Sequence, residues 1–347
     1  MDEAIARARD RLGRLGSTIV YYPTIGSTND VASDFVARRP FDSTLTLSSS
    51  KGERLAQNRL QPSAEGLVVV ADEQTAGRGR RGHTWFSPPG SGLYVSVVLT
   101  PGRARVDPAR ATTLLTLAAG VAIAEAVEAA TGLAVDLKWP NDLFVGRRKL
   151  AGILAESPAV DAVVLGYGIN VGPMAYPPAL ADRATSLESE LGRAIDRHQL
   201  FAETLAALAR RYEDLLDGRF DAILDAWRRR APAATGARVS WTTDSGERAG
   251  TTQGVDDHGA LLVRAGESFE TGIERGAGVL PRHVEPQRRV RDRLHHCKRI
   301  LEPMTYFVDV VASCFRPRAF FRDVTDMSPL ARFGFSRTLF SIDPGLV

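Results

Sequence analysis

Several features are scarce in this chain of 347 residues, and each scarcity removes a class of protein. Cysteine occurs only at 297 and 314, so no disulfide framework can organise residues 1–296, and a reducing, cytoplasmic compartment is expected. The opening MDEAIARARDRLGRLG is charged and amphipathic and lacks the apolar core of a secretory signal. No stretch of 18 apolar residues follows, so no membrane partner is expected. Charge of one sign is not in excess: 44 Lys+Arg stand against 41 Asp+Glu, a formal net charge of +3. Any positive site must therefore come from local clustering rather than from a polycationic whole. There is no internal repeat. His295-His296-Cys297 has no spaced partner motif, so no resident metal site is assigned.

What remains is enough for more than one domain, with an ordinary 44% of hydrophobic residues. A helix over 3–14 leads to a strand over 17–23, and Ser27 or Thr28 caps a helix over 30–39. Residues 40–65 lose periodicity and read as a long inserted loop. Strands are expected over 66–72 and 93–99. The longest helix runs from Asp107-Pro108 to about 130 and is stopped by Gly132. Strands over 135–139, 143–145, 149–156 and 162–168 follow, with Gly146-Arg147-Arg148 as a hairpin turn. Helices over 197–216 and 220–230 complete a first unit, 1–233. Ala231-Pro232-Ala233 reads as a linker. Short strands with Gly- and Asp-rich turns then make a small β-module over 234–281, and 282–347 is a compositionally distinct extension.

Four segments could carry chemistry. In Gln74-Thr-Ala-Gly-Arg-Gly-Arg-Arg-Gly-His-Thr-Trp85, three glycines let the backbone approach an anion, and Arg78, Arg80 and Arg81 offer planar cationic forks. A polyphosphate cradle, a nucleic-acid patch and a solvated basic turn all fit that composition. It is not a P-loop, because no Gly-Lys-Ser/Thr follows. In Lys138-Trp-Pro-Asn-Asp142 a cation, an amide and a carboxylate gather at a strand end, and Lys149 stands just behind, before an apolar strand. That set suits a nucleotide, and Lys149 suits negative charge developing on a reacting oxygen; a surface turn is the plain alternative. Gly26-Ser27-Thr28-Asn29-Asp30 exceeds what one helix cap requires. Gly166-Tyr-Gly-Ile-Asn-Val171 suggests either a close approach or a bulge.

In this order the segments resemble one family, the biotin–protein ligases. Ser27-Thr28-Asn29, Asp72–Gly82, Trp85–Pro88, Lys138–Asp142, Arg148–Leu154 and Gly168–Val171 carry the resemblance, which spans about residues 17–281. The resemblance implies an α+β fold, a mixed β-sheet flanked by helices like that of class II aminoacyl-tRNA synthetases, followed by a small SH3-like barrel. It implies activation of biotin by Mg²⁺-bound ATP to biotinyl-5′-AMP, then transfer to a lysine of a biotin carboxyl carrier protein of acetyl-CoA carboxylase or another biotin-dependent carboxylase. By the same resemblance Ser27, Thr28, Asn29, Gln74, Arg78, Gly79, Arg80 and Lys149 bind biotin, with Lys149 and Arg80 acting in catalysis. Arg78, Arg80, Trp85, Lys138, Asn141, Asp142 and Asn170 are assigned to ATP or the adenylate.

The chain departs from some family members. Only about 16 residues precede the first shared strand, too few for a helix-turn-helix module, so no DNA repression is expected. The 40–65 loop is longer than expected, and the tail lies outside the resemblance. A homodimer through the central sheet occurs in the family, but no pattern here establishes one. The rival within the fold is a lipoate–protein ligase or octanoyltransferase, which needs a pocket for a linear acyl chain. The rival from another class is a nucleic-acid binder using Arg78–Arg81 and the basic cluster at 288–299, which would bind duplex DNA with steep salt dependence.

Overall fold

Side-chain alternation along the strands decides which way every element faces. A computed structural model describes residues 1–37, 64–159, 162–173, 175–243, 246–265 and 268–271. Nearly all of the 40–65 loop, the end of the expected barrel and the whole 282–347 extension lie outside the described residues.

Seven strands form one sheet: β1 (Thr18–Ile25), β2 (Leu67–Gln74), β3 (Gly92–Leu99), β4 (Asp136–Lys138), β5 (Asp142–Val145), β6 (Arg148–Ala159) and β7 (Ala162–Asn170). Their order is β1-β2-β3-β7-β6-β5-β4. The β1–β2 pair is parallel and every other pair is antiparallel, so the sheet is mixed, as expected.

Apolar residues on both faces of β2 and β3 call for a cover on each side. On β2, Val68 and Val70 join the main core, whereas Leu67 and Val69 join a smaller cluster with Ala32, Val98 and Val164. The main core lies between the sheet and helices α1 (Asp2–Leu12), α3 (Pro108–Thr131), α5 (Arg197–Leu216) and α6 (Phe220–Arg230). The smaller cluster lies under α2 (Thr28–Ala37), which contacts β2, β3, β6 and β7 on the opposite face. That second face carries the site.

The long helix α3 begins and ends where its flanking residues dictate. The Asp107 carboxylate accepts the Arg110 N–H at 3.0 Å, Pro108 fills the first turn, and Gly132 closes the helix at φ 79°. Contrary to the sequence reading, α3 is long and apolar enough to cross a membrane by length and composition. It is instead a core helix, with residues such as Leu114, Val121, Ile123 and Val127 almost wholly buried. A short helix α4 (Leu187–Leu191) was not expected; five residues are too few to show a 3.6-residue period.

After a turn at Pro232–Ala234, strands β8 (Thr235–Thr243), β9 (Gly246–Val255), β10 (Leu261–Ala265) and β11 (Ser268–Thr271) form a four-stranded antiparallel sheet. Its Val239, Trp241, Val255, Leu261 and Val263 join the main core, so it is seated on the larger unit rather than tethered to it.

Candidate active site

Register on the α2 face builds the site floor. Ser96, Gly166 and Leu154 lie in one row across β3, β7 and β6; Tyr94, Gly168, Gly152 and Asp142 form the next row, extending to β5. The glycines admit large groups from above. A Cβ on Gly166 would stand 2.0 Å from Asn29 Oδ1, and one on Gly168 would stand 2.4 Å from Trp85 Nε1. The glycine signal therefore marks close approach rather than a bulge, and both residues lie inside β7 rather than at its end.

A bulge does occur one strand away. Leu143 pairs with Ala151 but Phe144 pairs with Lys149, which leaves Leu150 as the extra residue on β6. Strict alternation would put Lys149 on the core face with Ala151 and Ile153. The bulge reverses that parity and turns its ammonium onto the Gly152 face. There Nζ lies 2.7 Å from Asp142 Oδ1 and 5.3 Å from the Trp85 ring centroid.

Above this floor is a cavity of about 520 Å³, within the usual range for small-molecule sites. One end is a hydrogen-bonded polar chain at the start of α2. Gln74 Oε1 accepts from the Thr28 N–H at 2.9 Å and from the Thr28 hydroxyl at 3.1 Å, and Gln74 Nε2 donates to Ser87 Oγ at 3.0 Å. The Ser96 hydroxyl lies 2.8 Å from Thr28 Oγ1 and 2.5 Å from Asn29 Oδ1. Asn29 Nδ2 donates to Glu156 at 2.9 Å. Ser27, Thr28 and Asn29 are buried, and this explains why the triplet exceeds a helix cap.

The rest of the lining is rich in cations. Arg78, Arg80, Arg81, Lys138, Lys149 and Arg183 line the cavity, and Asp142 is the one carboxylate among the described lining residues. Burial pushes the Lys138 ammonium below the ordinary lysine pKa; Asp142 opposes the shift, and Lys149 and Arg183 add to it. The Lys138–Asp142 turn, with a cis Trp139–Pro140 bond, is latched to β6 because Asn141 Nδ2 donates to the Ile153 carbonyl at 2.7 Å.

The glycine–arginine segment is a small hairpin lying across the cavity. Gly79 N–H donates to the His83 carbonyl at 2.7 Å, and Trp85 N–H donates to the Gly77 carbonyl at 3.0 Å. Arg80 Nη1 reaches Asn141 Oδ1 at 3.3 Å, joining the loop to the Lys138–Asp142 turn. Two donors, Arg78 Nε and Trp85 Nε1, are buried with no acceptor among the described residues. Buried donors of this kind call for an acceptor.

Twelve of the thirteen residues assigned from sequence line this one cavity: Ser27, Thr28, Asn29, Gln74, Arg78, Gly79, Arg80, Trp85, Lys138, Asn141, Asp142 and Lys149. Asn170 does not. It is set back, donating to the Thr185 carbonyl at 2.9 Å, and the Thr185 N–H in turn donates to the Lys149 carbonyl. Ser87, Ser96, Glu156 and Arg183 were not anticipated. Ser96 had a signal, being the one hydroxyl-bearing aliphatic position in an apolar strand buried throughout; Arg183, in an irregular segment, had none.

A mixed sheet whose one large described cavity joins hydrogen-bonding groups to a set of cations has the groups suited to an acid-activating ligase. Residues 44–171 match the model of the Biotin/lipoate A/B protein ligase family. Over 236 residues the chain is 36% identical to "Bifunctional ligase/repressor BirA" of Bacillus subtilis (strain 168), covering 66% of this chain and 70% of that protein. Over 217 residues it is 37% identical to "Biotin--[acetyl-CoA-carboxylase] ligase" of Paracoccus denitrificans, covering 59% and 88% respectively. The chain belongs to the biotin–protein ligase family. Its fold is that of "Biotin protein ligase from Aquifex aeolicus in complex with biotin and ATP", with a TM-score of 0.57, 24% identity, and coverage of 76% of this chain and 98% of that one.

Proposed function

We propose that this protein is an ATP-dependent biotin–[acetyl-CoA-carboxylase] ligase that makes biotinyl-5′-AMP and transfers biotin to a lysine of a carboxyl carrier protein. The observation that carries the reading is the make-up of this one cavity, which brings the hydrogen-bonding chain of Thr28, Asn29 and Gln74 together with six cations against one carboxylate among the described lining residues.

Each end suits one part of the reaction. The polar chain from Gln74 to Asn29 offers hydroxyl and amide groups to a ring bearing both donors and acceptors, whereas a linear acyl chain has no polar groups to exchange hydrogen bonds with them. At the other end two anions must meet. The biotin carboxylate attacks the α-phosphorus of ATP, which enters as Mg²⁺·ATP, and pyrophosphate leaves. Without fixed cations the repulsion between carboxylate and triphosphate would oppose that encounter.

Lys149, aimed onto the Gly152 face, supplies the charge nearest the joining atoms. Lys138, Arg80 and Arg183 face the polyphosphate, and Asp142 is the carboxylate suited to its Mg²⁺. Asn141 receives Arg80 and keeps the loop over the nucleotide, while Trp85 offers an indole face beside Lys149. Asn170 acts through Thr185 by holding the segment that flanks Lys149. In the second step the carrier lysine amine attacks the anhydride carbonyl carbon, the acyl–phosphate bond breaks, and AMP departs. A loop lying over the anhydride keeps water from competing with that amine.

Biotin-dependent exchange of labelled pyrophosphate into ATP tests the first half-reaction. Exchange with biotin and none with lipoate is the expected result; exchange with lipoate alone would overturn the reading. Salt-dependent binding to duplex DNA tests separately whether the chain also acts on DNA.

A further inference from the structure

Glu156 stands on β6 in the row beyond Leu154 and Gly166, on the site face, yet it is not among the side chains that line the cavity. It sits behind that wall, with a side chain only 16% exposed. One of its oxygens, Oε2, takes two donors from different parts of the site. Asn29 Nδ2 donates to it at 2.9 Å, and Arg78 Nη2 forms a close ion pair with it. Arg78 Nη2 also meets the more exposed Asp30 Oδ1 at 3.0 Å.

An ionised carboxylate only accepts hydrogen bonds. Glu156, with the Leu154 carbonyl at 3.5 Å as a second acceptor, therefore sets which way the Asn29 amide points: Nδ2 toward the carboxylate, Oδ1 toward Ser96. The same oxygen ties down Arg78, the first arginine of the hairpin across the cavity, and leaves Arg78 Nε buried without an acceptor among the described residues. A half-buried, charge-assisted bond of this kind is stronger than a neutral one.

We propose that Glu156 is a positioning residue that couples the ring end of the cavity to the covering loop, orienting Asn29 toward the bound acid and holding Arg78 so that the loop stays over the adenylate. The proposal rests on the biotin-activating reading above. It assigns Glu156 no contact with substrate, so its signature is a split between properties rather than a uniform loss.

The test compares the full-length wild type with Glu156→Gln and Glu156→Ala by calorimetric biotin binding and by the rate at which biotinyl-AMP escapes after a single turnover. Glu156→Gln keeps the shape and an acceptor for Asn29 but removes the charge that holds Arg78. Escape should rise about ten-fold or more, while biotin affinity falls by less than about three-fold. Glu156→Ala removes both bonds, so affinity should fall by about ten-fold as well. If Glu156→Ala fails to fold in a thermal melt, the isosteric Gln variant decides the matter alone. Wild-type escape from folded Glu156→Gln overturns the proposal, as does an effect confined to melting temperature or to KM for ATP. A wild-type protein that binds no biotin overturns the underlying reading and this proposal with it. A wild type that binds biotin, with variants that bind and retain the intermediate as well, overturns this proposal alone.

Discussion

At the scale of single residues, the site is made by which groups are missing from its floor. Glycines at 152, 166 and 168 leave room that Trp85 and Asn29 occupy. Gly166→Ala would drive a methyl into Asn29 and through it disturb Ser96 and Glu156. Overpacking of this sort costs about 1–3 kcal/mol, and calorimetry should find it as weakened biotin binding with ATP affinity kept. Lys149→Ala removes the ammonium turned inward by the bulge. The rate of pyrophosphate exchange should fall by about a hundred-fold or more, with the thermal melt little changed; near-normal exchange would remove Lys149 from the chemistry.

Much of this was legible residue by residue. Ser27-Thr28-Asn29 was conspicuous because a cap explains one polar residue and not three. Arg78 and Arg80 were conspicuous as cations beside glycine, and Lys138 as a cation gathered with an amide and a carboxylate at a strand end. Glu156 was not: a single acidic residue at the end of an apolar strand reads as the strand leaving the core, and only the fold brings Asn29 and Arg78 to it.

At the scale of elements, the covering hairpin and the helix pair α3–α5 respond to different perturbations. Arg80 ties the hairpin to the Lys138–Asp142 turn through Asn141. Arg80→Gly should therefore loosen the cover, and mass spectrometry should find biotin on bystander lysines that the wild type leaves unlabelled. Between α3 and α5, Glu125 meets Arg210 at 2.6 Å and pairs closely with Arg211. Burial pushes its carboxyl up, but Arg211 and Arg210 outweigh burial and hold it below its ordinary value of 4.5. A carboxyl depressed in the folded state contributes stability above its unfolded pKa, and that contribution is lost as pH falls through the folded value. Glu125→Gln should thus lower stability at neutral pH by about 1–3 kcal/mol. Its melting temperature should also fall less steeply than the wild type's as pH drops below 4.5.

Most element boundaries were readable because caps are local: Asp107 and Gly132 bracket α3, and Asp196 caps α5 with its carboxylate on the His198 and Gln199 N–H groups. The bulge at Leu150 was not readable. No glycine or proline marks it, and it exists only as a register shift against β5.

At the scale of the whole molecule, the C-terminal sheet is coupled to the Lys138–Asp142 turn of the cavity. Trp139, between Lys138 and Pro140, donates its indole N–H to the Gly259 carbonyl at 2.9 Å. The β9–β10 turn that carries Gly259 is also tied to α3, where Arg110 Nε donates to the Asp257 carbonyl at 2.7 Å. Trp139→Phe keeps an aromatic side chain, though a smaller one, and removes the donor, leaving a part-buried carbonyl unpaired, at a cost of about 1–2 kcal/mol. Steady-state kinetics should register this as a raised KM for ATP with biotin affinity unaltered. An equal rise in both would mean that the contact serves stability alone.

Sequence by itself determined the mixed α+β class, the longer strands and helices and the small β-module, because periodicity and caps are local properties of a chain; the order of its motifs, through a family resemblance, pointed to twelve of the residues that line the cavity. Tertiary structure alone decided which way Lys149 faces, that Glu156 meets both Asn29 and Arg78, that Asn170 is set back from the cavity, and that α3 is a core helix rather than a span. Each of those depends on register or packing against residues distant in the chain. A strand's parity, a carboxylate's partners and a helix's cover have no signature until the sheet is assembled.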